Sequence, residues 1–78
     1  MTCTIFSPTS IVTHNSVSAI VIRNSLGDME ILPGHSEAFI LLKNANIRLG
    51  AGGDHFNVTR GVCHVHNDRI LFALRDSL

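Results

Sequence analysis

The sequence predicts an all-β fold, a small flattened β-sandwich or barrel of about eight to ten short strands. Three observations carry that expectation. Apolar residues recur in brief alternating or continuous runs, with almost no helical spacing. Gly, Pro, Asn and Asp interrupt those runs at close intervals. A chain of 78 residues buries only about 60% of its unfolded surface, enough for a single core, so residues 1–78 form one domain.

In chain order, strands are expected at Thr2 to Phe6, Ile11 to Val12, Val17 to Ile22, Met29 to Leu32, Ala38 to Leu42, Asn46 to Leu49, His55 to Thr59, Val62 to His66 and Arg69 to Leu74. The last two form a hairpin, because Asn67 and Asp68 both tolerate positive φ and suit a two-residue turn. That turn pairs His66 with Arg69, and counting back sets Val65 against Ile70 and Cys63 against Phe72 on the core side. His64 against Leu71 and His66 against Arg69 then lie on the other side. Gly50-Ala51-Gly52-Gly53-Asp54 reads as a tight flexible connection. A phosphate cradle needs a helix or a lysine after its glycines, whereas a strand follows here.

Composition removes several classes of function. Six Lys plus Arg balance six Asp plus Glu, without the concentrated basic footprint that nucleic acid requires. The apolar run Ala38 to Leu42 is far below the ~20 residues that span a bilayer, and no other run is longer, so no direct membrane insertion is expected. The start, MTCTIFSPTS, lacks the basic leader and apolar segment of a signal peptide, which points to a reducing compartment and free thiols at Cys3 and Cys63. A core-facing Cys63 is an inert thiol, and no serine, histidine and carboxylate can be placed together, so no enzyme activity is expected.

Two clusters of ionisable groups remain. His64 and His66 point the same way on a strand, but zinc needs a third or fourth ligand and Arg69 opposite His66 opposes a cation, so they read as exposed histidines without a metal. A metal-binding β domain using His64 and His66, and a free-standing β binding module, are the alternative readings. Asp28 and Glu30 share one face of the brief strand in Gly27 to His35, and read as solvated or partner-paired acids beside a turn.

That segment, Gly27-Asp28-Met29-Glu30-Ile31-Leu32-Pro33-Gly34-His35, resembles the G-E-x-G-I-L-P-G-H stretch of the epsilon subunit of F-type ATP synthases, with six positions identical and Asp28 in place of a glutamate. The similarity continues on both sides. Phe6-Ser7-Pro8 resembles the family's early valine-threonine-proline segment, and Val17 to Ile22 its next strand. Lys43 with Ile47-Arg48-Leu49 resembles the lysine and I-R-I strand, and Thr59-Arg60-Gly61-Val62 the S-G-G corner. There are departures: Glu30 stands at a family glycine, Glu37 at a common proline, Asn44-Ala45 at a common proline-glycine turn, and Arg60 at the first corner glycine.

The resemblance implies a non-catalytic subunit of the central stalk, the rotor of a proton-translocating ATP synthase, without cofactor. It implies the gamma subunit and the c-ring as partners, peripheral attachment at the cytoplasmic face of the inner plasma or organellar membrane, and a soluble monomer in isolation. Gly27, Asp28, Met29 and Glu30 would then lie on the c-ring side, and Pro33, Gly34, His35 and Ile40 on the gamma side. Because the sequence ends at Leu78, the family's carboxy-terminal helical domain, with its inhibition of hydrolysis and ATP binding, is not carried over.

Overall fold

A computed structural model of the chain describes residues 1–50 and 53–76. Among them are seven strands: β1 (Thr2–Ser7), β2 (Ser10–His14), β3 (Ile20–Arg23), β4 (Met29–Ile31), β5 (Ala38–Leu49), β6 (His55–His66) and β7 (Arg69–Leu74). They form one sheet in the order β2-β1-β7-β6-β5-β3-β4, antiparallel throughout except for the parallel pair β1 and β7. The all-β expectation holds; the nine expected strands become seven because two pairs fuse.

The fusions have one cause. Lys43 pairs with Arg60 and Ala45 with Val58, so the ladder between β5 and β6 passes the intervening rung without a change of register. Facing does change. Ala38, Ile40 and Leu42 turn inward before the rung and Ala45, Ile47 and Leu49 after it, while Lys43 and Asn44 are both exposed. On β6 the inward set likewise shifts from Phe56 and Val58 to Gly61, Cys63 and Val65, across exposed Thr59 and Arg60. Asn44 takes a φ of 46°, in the left-handed region that asparagine tolerates better than most residues. The expected turn at Asn44-Ala45 is therefore a roll within a continuous strand.

The roll converts one sheet into a two-layer sandwich. Residues 38–43 and 61–66 form one layer with β7, β1 and β2, joined through the β6–β7 pair, whereas residues 46–49 and 55–58 extend towards β3 and β4. Cys3, Ile5, Cys63, Val65, Ile70 and Phe72 of the first layer pack in one core with Ile20, Ile22, Ile31, Ile47 and Val58 of the second. Phe56 meets Phe72 edge-on at 5.7 Å across the interior. Each fully buried Ile or Phe contributes about 1.5–3 kcal/mol by leaving water. Gly61 is required by crowding, since a Cβ there would lie 2.7 Å from the Ala73 carbonyl oxygen.

Smaller shifts have local reasons. Val17 is buried, yet β3 starts only at Ile20, because Val17 donates its N–H to the Met1 carbonyl and accepts from the Met1 ammonium group, each at 2.8 Å. The β6–β7 hairpin has the expected register, with Val65 on Ile70, Cys63 on Phe72, His64 on Leu71 and His66 on Arg69. Asn67 and Asp68 have φ of 50° and 57°, the two positive values a type I′ turn requires. Both thiols are free and buried, and burial pushes each up to about 12. The reading of the Gly50–Asp54 connection falls partly on residues 51 and 52, outside the described residues.

Candidate partner-binding surface

The segment from Gly27 to His35 occupies an edge of the second layer. Gly27, at φ 134°, donates its N–H to the Asn24 carbonyl at 3.0 Å and turns the chain towards β4. One oxygen of Asp28 accepts from the Asn24 backbone N–H at 2.9 Å, and the other faces the Arg23 guanidinium at 3.4 Å. Its carboxylate thus helps close its own loop while remaining exposed. Glu30, paired with Val21, points to solvent, and with Arg23, Asp28 and Met29 it lines a shallow groove. Met29 itself turns inward and packs on the core.

Leu32-Pro33-Gly34-His35 is a type II turn: Pro33 supplies the first central residue, Gly34 the second at φ 83°, and the His35 N–H reaches the Leu32 carbonyl at 3.2 Å. The turn is tied across the sheet, because the Gly34 N–H donates to Asp68 Oδ1 at 2.7 Å. His35 Nδ1 meets the Ser36 carbonyl oxygen at 2.7 Å. The turn and the Asp28–Glu30 groove are therefore separate surfaces joined by β4.

Ile40 lies in the inward phase of β5, half-buried against the core. Its neighbours face out: Phe39 is 72% exposed and Leu41 67%. Cross-strand registers extend these two into rows over the whole first layer. Leu41 is followed by Val62, Ala73, Phe6 and Ile11, and Phe39 by His64, Leu71, Thr4 and Thr13. Exposed Phe6, Ile11, Phe39, Leu41 and Leu71 thus share one outer face. Monomeric proteins rarely expose large contiguous apolar patches unless something docks there. The sequence reading missed this face, because the unbroken apolar run Ala38 to Leu42 conceals which alternate residues point outward.

At one end of that face is a polar cluster. Continuing the β5–β6 register one residue before Ala38 sets Glu37 across from His66, beside the Phe39–His64 pair. Glu37 Oε2 lies 3.0 Å from His64 Nε2 and 3.1 Å from His66 Nδ1. Those imidazoles, His64 first through its hydrogen bond, hold the Glu37 carboxyl below the usual carboxylate range. The Phe39 ring stacks on the His64 imidazole, with centroids 4.2 Å apart and planes within 4°.

Among the described residues no helix is long and apolar enough to cross a membrane. Comparison with curated proteins finds no match. Among solved structures, the fold is similar to a chain in the cryo-EM structure of the Tetrahymena thermophila mitochondrial ATP synthase central stalk and c-ring. The TM-score is 0.82 and the identity 15%, over 97% of this chain and 63% of that one. It is also similar to a chain in the Euglena gracilis mitochondrial ATP synthase structure of OSCP, F1 and c-ring in rotational state 1, with TM-score 0.75 and 21% identity, over 97% and 51%. The chain thus spans between half and two thirds of the length of these neighbours. A family model described as the ATP synthase delta/epsilon chain β-sandwich domain matches residues 1–76, nearly the whole rolled sheet. The chain belongs to the ATP synthase delta/epsilon chain β-sandwich domain family.

Proposed function

We infer that the protein is a non-catalytic subunit of the central stalk of an ATP synthase, placed between the gamma subunit and the c-ring, where it supports rotational coupling. Family membership supports the assembly, and the exposed apolar face of the first layer is the observation that carries docking. In this reading Phe6, Ile11, Phe39, Leu41 and Leu71 are covered by gamma, joined at one end by Pro33, Gly34 and His35. Gly27, Asp28 and Glu30, at the turn into the edge strand β4 and on it, meet the c-ring. Met29 and Ile40 support these contacts from the core side. Strands and tight turns suit such a wedge, because they hold contact residues in place.

Size-exclusion chromatography with light scattering, run with gamma from the same source at micromolar concentration, tests the reading. A one-to-one complex is expected, and Phe39→Asp with Leu41→Asp weakens it by more than about tenfold, since buried aromatic and aliphatic anchors dominate interface energies. Circular dichroism of the double variant stays unchanged, because both positions point away from the core. A chain that stays monomeric beside folded gamma sinks the proposal.

A further inference from the structure

We propose that Glu37, His64 and His66 form a surface site for a divalent transition-metal ion of the zinc class. Each offers one donor atom, and the three donors lie within 4.8 Å of one another. A tetrahedral ion with bonds of 2.0–2.1 Å needs its donors about 3.3 Å apart. Glu37 Oε2 already meets that spacing to both imidazoles, at 3.0 and 3.1 Å. Only the two nitrogens have to close on each other, a movement that rotation of the more exposed His66 ring supplies. Two neutral nitrogens and one carboxylate oxygen suit a borderline ion and leave one position open to water.

The surroundings hold these donors. His64 and His66 alternate on β6 and so share a face, with their rings 18° from parallel and 5.9 Å apart. Phe39 fixes the His64 ring by stacking. Asn67 Nδ2 lies 3.2 Å from His66 Nε2, the ring atom left free when Nδ1 binds an ion. Ligation moves the ring proton to Nε2, and a turn of the Asn67 amide then presents oxygen to accept it. Glu37 is placed by the Gly34–Asp68 hydrogen bond, which docks the loop before β5 on the β6–β7 turn. Arg69, the cross-strand neighbour of His66, opposes a cation, and the carboxylate set between the two imidazoles offsets it. The bound ion would staple the loop carrying Pro33-Gly34-His35 to β6.

The inference is independent of stalk assembly, so its test uses the whole chain alone. Isothermal titration calorimetry with zinc chloride, after chelator dialysis and in a non-coordinating buffer at pH 7.5, is expected to show one saturable site per chain. Glu37→Gln, His64→Ala and His66→Ala each weaken it at least tenfold, whereas His55→Ala leaves it unchanged. Imidazole resonances of the unsubstituted chain keep the test valid if a variant does not fold: zinc shifts those of His64 and His66 before those of His14, His35 and His55. Absence of saturable heat up to about 1 mM zinc, or uptake that survives in His64→Ala together with unmoved His64 and His66 resonances in the unsubstituted chain, overturns the proposal.

Discussion

Asn24 is a buried polar side chain, and each of its polar atoms has a task. Its Nδ2 donates to the Leu41 carbonyl at 2.8 Å, and its Oδ1 accepts from the Lys43 N–H at 3.0 Å. The amide thus imitates the next rung of the β3–β5 ladder, at the point where β5 rolls and β3 has ended. Asn24→Ala leaves a backbone donor and a backbone acceptor unpaired beside the core. Urea unfolding is expected to show a loss of about 1–3 kcal/mol. In the sequence Asn24 reads only as a strand breaker after Ile22, because an asparagine that ends a strand and one that caps a neighbouring strand have the same composition around them. Glu37 escaped for a similar reason: it precedes a strand, and only the register shows that it stands across from His66.

At the scale of elements, the roll at Asn44 decides the architecture. The left-handed backbone there costs an ordinary side chain roughly 1–2 kcal/mol, and more for a β-branched one. Asn44→Gly is therefore expected to retain stability within a few tenths of a kcal/mol. Asn44→Val should lose about 1–2 kcal/mol in the same urea measurement. Equal stability of the two variants would show that the roll is imposed from elsewhere. Strand positions were legible wherever one short strand lay between breakers, as in β1, β4 and β7, and the Asn67-Asp68 turn fixed the last hairpin rung by rung. The fused strands were not legible. A turn residue in mid-strand and a turn residue between strands carry the same local signal, and long-range pairing alone separates them.

The molecule as a whole places both cysteines inside the interface between its layers, and this sets a limit on its alkaline stability. Cys3 and Cys63 are pushed up to about 12 by burial, Cys63 also by its proximity to Cys3, from an ordinary value of 9.0. Each thiol keeps its proton in the folded chain where the unfolded chain loses it. The stability this contributes is complete below about pH 9, and falls as pH rises from 9 towards 12. The slope is at most about 1.4 kcal/mol per pH unit for each thiol. Cys3→Ala with Cys63→Ala should flatten that decline in thermal unfolding followed from pH 8.5 to 10.5, whatever it costs at neutral pH. Thiol reagents at pH 8 should modify neither cysteine before the chain unfolds.

Because β5 and β6 run through both layers, the halves of the sandwich are joined by backbone as well as by side-chain packing. A tangential force on the apolar face, directed along the strands, would reach the Gly27–Glu30 edge through the β5–β6 ladder. Such a force stresses many hydrogen bonds at once, in shear, where peeling would open them one after another. The rolled hairpin makes the domain stiff along one direction, the direction of its two longest strands.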